Sequence, residues 1–244
     1  MRIYDCRRDY IKRSEKGGRL KNEDYVNCVE SGNNLIAVLA DGLGGQGDGE
    51  IASHMAGDSL LTCGADGAFP DRQIIMDAFQ KANHILLKNQ KNKVHMKTTA
   101  VYLCQRGNRA VWAHIGDSRL YHIFQDKILD YTLDHSASQM SVFMGEITRE
   151  QIPWDAGRSR LIKALGMEDA EPEIHDEIRL EPGRHAFLLC SDGLWEYLSD
   201  AEIIDICRRG RSAEGSLALM LDCKNAKSMP DCDNYTAFLL FLEV

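Results

Sequence analysis

Leu35-Ile-Ala-Val-Leu-Ala-Asp41-Gly-Leu-Gly-Gly-Gln-Gly-Asp-Gly-Glu50 is the stretch on which the fold turns. Six apolar residues run without alternation into Asp41, a loop with five glycines follows, and Ile51 to Leu61 then reads as a helix. An unbroken apolar run of this length fits a strand buried on both faces. A carboxylate at the end of such a strand is held on a rigid support at the rim of the core. That is a good position for a metal ligand and a costly one for an idle charge. Gly42-Leu-Gly44-Gly-Gln-Gly47 also satisfies G-x-G-x-x-G, with Asp66 about 20 residues on, the dinucleotide pattern. A helix N-terminus attracts anions, but Asp41, Asp48 and Glu50 would crowd the pyrophosphate, and no Gly-Lys-Ser/Thr follows. By charge, the loop should hold a cation.

The bulk numbers agree with a soluble globular chain. The 244 residues are 44% hydrophobic and 27% charged, with a formal net charge of −8. An acidic surface argues against a nucleic-acid or anionic-membrane partner. The eight cysteines form no C-x-x-C pair and no zinc-ligand spacing. The start has no apolar signal region, and no apolar run reaches the ~18 residues of a membrane span. Free thiols in a reducing cytoplasm are the expected setting.

Residues 1–24 read as an exposed charged loop. Strands are expected at Tyr25 to Val29, Leu35 to Ala40, Thr98 to Cys104, Ala110 to Ile115, Leu120 to Phe124, Ile128 to Tyr131, Ile174 to Leu180 and Ala237 to Leu242. Helices are expected at Arg72 to Lys91, with Asp71 as cap, at Leu194 to Arg208, and at Ala213 to Asn225. The absence of linkers and repeats suggests one domain, 1–244, with an irregular flap at about 136–163. Strands pairing with their neighbours suggest antiparallel sheets with helices outside.

Five aspartates stand at strand ends: Asp24, Asp41, Asp117, Asp192 and Asp233. Asp-Gly-Leu follows an apolar run twice, at Asp41 and at Asp192. If these groups converge they cannot stand bare, since two charges ~4 Å apart repel by roughly 4 kcal/mol at an effective dielectric of 20. All-oxygen ligation points to Mg²⁺ or Mn²⁺. Two such ions ~3.5–4 Å apart can share a water and lower its pKa towards ~7, giving a hydroxide for in-line attack on phosphorus. An arginine would then hold the phosphate oxygens, and Arg19 is the candidate.

Arg19-x-x-Asn22-Glu23-Asp24, Asp41-Gly42-Leu-Gly44-Gly45, Gly49-Glu50-x-Ala52-Ser53, Thr98-Thr99, Gly116-Asp117-Ser118-Arg119, Asp134-His135-Ser136, Ala164-Leu165-Gly166, Ser191-Asp192-Gly193 and Asp233-Asn234-x-Thr236 occur in this order. Together they resemble the metal-dependent protein phosphatases of the PP2C (PPM) family, bacterial branch. The resemblance implies an α+β fold, a four-layer α-β-β-α sandwich of two antiparallel sheets flanked by helices. It implies hydrolysis of phosphoserine and phosphothreonine in proteins by a dimetal-bridging hydroxide, without a phosphoenzyme.

By the same resemblance Asp41 bridges two metals, the Gly42 carbonyl binds the second, and Asp192 and Asp233 complete the first. Asp24 and Glu23 act mainly through metal-bound waters. Asp117, with Asp192, holds a weaker third ion, and Arg19 clamps the phosphate. A phosphoprotein substrate, a cognate Ser/Thr kinase and a monomeric state are implied, with no nucleic acid or membrane. The chain departs from the family pattern at Leu43, where the eukaryotic branch has a histidine, and at Lys97 and Lys163. A metal-bound water is then the expected proton donor, with His135 the alternative.

Overall fold

The computed structural model describes residues 6–43, 48–90 and 96–244. Gly44, Gly45 and Gly47 of the glycine loop, and Lys91 at the expected end of the second helix, lie outside the described residues.

In chain order the strands are β1 (Arg7–Glu15), β2 (Asp24–Ser31), β3 (Asn34–Leu43), β4 (Lys97–Thr98), β5 (Ala100–Arg106), β6 (Arg109–Ile115), β7 (Arg119–Phe124), β8 (Lys127–Tyr131), β9 (Glu173–Ile174), β10 (Ile178–Arg179), β11 (Arg184–Cys190) and β12 (Tyr235–Glu243). The α-helices are α1 (Asp48–Leu61), α2 (Arg72–Asn89), α3 (Ala137–Phe143), α4 (Asp192–Trp195), α5 (Asp200–Arg209) and α6 (Ala213–Lys227), with a 3-10 turn at Arg149–Trp154. One sheet runs β1-β12-β11-β7-β8 and the other β10-β6-β5-β3-β2, with β4 on β3 and β9 on β6. Every pairing is antiparallel.

β3 explains its own sequence. Leu35, Ala37 and Leu39 point between the sheets, against Phe187, Leu189, Phe238 and Leu240. Ile36, Val38 and Ala40 point the other way, onto Ala52, Ala56 and Leu60 of α1 and onto Ile75 and Phe79 of α2. With both faces covered, there is no solvent side to demand alternation. On the far side, Leu188, Leu239 and Phe241 meet Ile203 and Ile206 of α5 and Leu217 and Met220 of α6. The result is the α-β-β-α sandwich. No helix among the described residues is long and apolar enough to cross a membrane.

Four expectations need correction, the first being the strand at Thr98 to Cys104, which is β4 and β5 interrupted at Thr99. The charged N-terminal segment is not all loop, because Arg7–Glu15 forms β1, paired along its length with β12. It is an edge strand, and charged side chains are what such an edge tolerates. Ile174 to Leu180 is two short strands, β9 and β10, on either side of His175-Asp-Glu177. Leu194 to Arg208 is two helices, because Ser199 starts a new one with a capping box to Glu202.

Candidate active site

A cleft of about 640 Å³ opens where strand ends from both sheets meet. Arg19, Glu23, Asp41, Gly42, Asp117, Asp192 and Asp233 line it, with Ser159 and Leu161 contributed from the expected flap region. Asp24 lies beneath, buried, opposite Asp41 in the β2–β3 register. The structure therefore brings together Arg19, Glu23, Asp24, Asp41, Gly42, Asp117, Asp192 and Asp233, the eight residues singled out from the sequence.

Short polar side chains fix the backbone that carries Asp41 and Asp117. Thr99 Oγ1 accepts the Asp41 amide at 2.9 Å, while Thr98 Oγ1 and the Thr99 amide donate to the Asp41 carbonyl. Thr99 also reaches Ser118 Oγ at 2.7 Å, so one threonine ties the Asp41 strand to the Asp117 turn. Thr98 pairs with Leu165, which joins the Thr-Thr motif to Ala164-Leu165-Gly166. Gly116 has φ +101° and packs on Thr99, a conformation and a space that only glycine fills. Trp195 is buried, as a core aromatic should be, yet its Nε1 donates to the Asp117 carbonyl at 2.9 Å.

Asp192 and Asp233 are held by the C-terminal strand. Ser191 Oγ accepts the Thr236 amide and donates to Asp24 Oδ2 at 2.9 Å. Asn234 spans to the N-terminal segment: its amide group donates to the Lys16 and Lys21 carbonyls and its oxygen accepts the Glu23 amide. Arg19 closes on Asp233 in a bidentate pair. Ser191 and Asn234 as cross-links were missed in the sequence, although each sits inside a motif that flagged its neighbour.

The carboxylates repel one another. Burial, then the Asp24 charge, pushes Asp41 well above the usual carboxylate range. Burial, then Asp117, does the same to Asp192. Burial lifts Asp24 to about 6, and burial with Asp134 lifts Asp117 to about 7. Asp24 Oδ1 and Asp192 Oδ1 are buried without a hydrogen-bond partner. Orphaned carboxylate oxygens in an all-oxygen cluster fit a hard divalent cation, which would remove both costs.

His135, the alternative proton donor, does not line the cleft. Its Nδ1 accepts the Gly116 amide and its Nε2 faces Glu173. Lys97 lies in β4 opposite Leu43, in ordinary strand geometry.

A family model described as protein phosphatase 2C matches residues 13–230. The protein phosphatase PhpP of Streptococcus pneumoniae is 32% identical over 199 residues, covering 77% of this chain and 79% of that protein. The serine/threonine protein phosphatase PstP of Mycobacterium tuberculosis is 32% identical over 216 residues, covering 86% of this chain and 41% of that longer protein. The crystal structure of M. tuberculosis PstP superposes with a TM-score of 0.86 at 28% identity, covering 97% of this chain and 99% of that one. The PstP catalytic domain in complex with two manganese ions gives 0.82 at 27% identity, covering 98% and 100%.

Proposed function

The chain belongs to the protein phosphatase 2C family, as a metal-dependent serine/threonine protein phosphatase, and we propose that it hydrolyses phosphoserine and phosphothreonine in proteins at the aspartate cleft. The observation that carries this reading is the convergence of Asp24, Asp41, Asp117, Asp192 and Asp233, with two buried carboxylate oxygens unpartnered.

In this reading Asp41, Asp192 and Asp233 would hold Mn²⁺ or Mg²⁺, with the Gly42 carbonyl as a further ligand and Asp24 and Glu23 in support; Asp117 and Asp192 would hold a weaker third ion. When bound, such ions activate water and neutralise charge on the transferring phosphoryl group, so no phosphoenzyme is needed. Arg19 exchanges Asp233 for the substrate phosphate, a planar fork meeting planar oxygens. Thr98 and Thr99 keep Asp41 aimed at the cleft through its backbone. The leaving oxygen would take its proton from water.

Residues 136–163 form the flap beside the cleft, with Ser159 and Leu161 meeting the substrate. The whole of 1–244 is one catalytic domain, acting as a cytoplasmic monomer on phosphoproteins made by a Ser/Thr kinase. Manganese-dependent hydrolysis of an aryl phosphate and of a phosphothreonine peptide is the test. The same protein failing to hydrolyse either with Mn²⁺ present would end this reading.

A further inference from the structure

The motif Asp134-His135-Ser136 contains one residue that the cleft does not account for. Asp134 pairs with Arg119, and Ser136 caps α3 by accepting the Gln139 amide. His135 is buried and does not line the cleft. It holds Gly116 on both sides instead. Its ring Nδ1 accepts the Gly116 amide at 3.1 Å, and its own amide donates to the Gly116 carbonyl at 2.9 Å. Gly116 stands just past the last β5–β6 pair, Ala100 with Ile115, and has φ +101°. Its buried amide has left the ladder and needs an acceptor from a side chain. The next residue is Asp117.

Two further contacts hold the imidazole in the form that accepting requires. A ring nitrogen accepts only while it carries no hydrogen, so the hydrogen belongs on Nε2. Nε2 faces Glu173 Oε2 at 3.7 Å, and a carboxylate on that side favours this tautomer. The ring lies flat on His114, with centroids 4.6 Å and planes 10° apart, and His114 Nε2 is tied to the Leu133 carbonyl at 2.7 Å. A carboxylate at this position would also accept the amide, but it would add a negative charge beside the aspartate cluster, whereas the imidazole accepts without one.

The Asp117 turn is thus held at three points. His135 holds Gly116 before it, Trp195 Nε1 holds the Asp117 carbonyl, and Thr99 holds Ser118 after it. We propose that His135 is a positioning residue for Asp117: by holding Gly116 through Nδ1 it aims the Asp117 carboxylate into the cleft and sets the affinity of the weaker divalent ion, a role that rests on the proposed function of Asp117 as that ion's ligand.

Two substitutions separate the two ring nitrogens. His135→Asn places a side-chain oxygen at the reach of Nδ1, whereas His135→Gln places one at the reach of Nε2. Calorimetric titration of the chelator-treated full chain with Mn²⁺ compares them. The weaker Mn²⁺ equivalent should be lost in Asp117→Asn, weakened about 10-fold in His135→Gln and restored in His135→Asn, with the tighter binding unchanged in all three. Circular dichroism verifies the folds. Nitrogen NMR of the unaltered chain, which needs no variant to fold, should show the His135 hydrogen on Nε2 and the Nδ1 lone pair accepting from Gly116. A weaker equivalent that is absent, or that Asp117→Asn leaves intact, would end the reading of Asp117 as a ligand and the role of His135 with it. Loss in Asp117→Asn beside native affinity in His135→Gln would overturn the role of His135 alone. So would a hydrogen on Nδ1, or a His135→Asn variant that binds no better than His135→Gln.

Discussion

Arg19 and Asp233 hold each other: Nε meets Oδ1 at 2.9 Å and Nη2 meets Oδ2 at 2.7 Å. The residue proposed to clamp substrate is thus paired with a residue proposed to bind metal. Both side chains are about half exposed, at 58% and 45%, so the pair itself contributes no more than ~1 kcal/mol. Two opposite effects follow from removing Arg19. Arg19→Ala should raise KM for a phosphothreonine peptide by about 10- to 150-fold, the worth of hydrogen bonds of ~1.5–3 kcal/mol to a charged group. In the absence of phosphate it should tighten Mn²⁺ binding, by no more than ~5-fold. Peptide kinetics and metal titration on one preparation check both. An unchanged KM would remove Arg19 from substrate binding.

Asp192 illustrates a conflict between function and stability. Its carboxylate is buried, has an unpartnered oxygen and is opposed by Asp117. Asp192→Asn keeps the shape and removes the charge. Metal-dependent hydrolysis should fall at least ~100-fold, while the chelated protein should gain about 1–2 kcal/mol, roughly 2–8 °C in Tm. Thermal melts in a chelator are the measurement, and a lower Tm would contradict the account of mutual repulsion.

Much of this was legible in the chain. Leu35 to Ala40 announced a strand covered on both faces, and Asp41 and Asp192 announced themselves by ending two apolar runs with the same Asp-Gly-Leu. β1 was hidden because an edge strand spends its side chains on solvent: Arg7-Arg-Asp-Tyr-Ile-Lys-Arg-Ser-Glu15 has few residues to bury. The break before α5 was readable, since Ser199-x-x-Glu202 is a capping box, but the apolar spacing ran across it and masked it. The contacts of Asn234 with Lys16, Lys21 and Glu23 span more than 200 residues, and no local pattern encodes such a link.

Gly193 is a second test of how the site is assembled. A Cβ placed there would lie 1.9 Å from the Asn234 carbonyl oxygen, a backbone atom with no room to yield. This contact lets the Asp192 turn and the Asp233 segment approach. Gly193→Ala should separate them, lowering Mn²⁺ affinity and activity at least ~10-fold and costing about 1–3 kcal/mol of stability through overpacking. A variant with native metal affinity would show that the approach is not needed.

Arg119 is a buried counterweight beside the cleft. It pairs with Asp134 through two 2.7 Å hydrogen bonds, with 7% and 1% of the side chains exposed, and its guanidinium sits 3.5 Å over the Trp195 ring. Trp195 in turn holds the Asp117 carbonyl. Removing one member of a buried pair leaves the other charge uncompensated, at a cost of ~3–5 kcal/mol. Asp134→Ala should therefore destabilise by about that amount in urea unfolding. Replacing both partners, as Arg119→Met with Asp134→Leu, should recover a large part of the loss, because no lone charge remains. A double variant as unstable as the single one would refute this.

His122 sets a pH dependence that can be isolated. Its Nε2 bonds to His185 Nδ1 at 3.0 Å, and its ring stacks on Phe187 with centroids 4.5 Å apart. Since His185 Nε2 lies 2.9 Å from the Glu181 carbonyl, both rings are satisfied in the neutral form. Burial, then the neighbouring His185, pushes His122 down to about 4, while Asp130 weakly opposes. A lowered folded-state pKa means that the unfolded chain binds the proton first as pH falls. The contribution to stability is thus complete above pH ~6.5 and is lost between about 6.5 and 4, up to about 3 kcal/mol. Asp24 and Asp117, lifted to about 6 and 7, act with the opposite sign in metal-free protein: the native state keeps their protons, so stability falls as pH rises through that range. The two slopes overlap in wild-type protein and separate in His122→Gln, which retains the carboxylate term. Urea unfolding at pH 4 to 8 should show the variant losing less stability than wild type between pH 6.5 and 4. Equal slopes would mean that His122 is protonated in the folded protein.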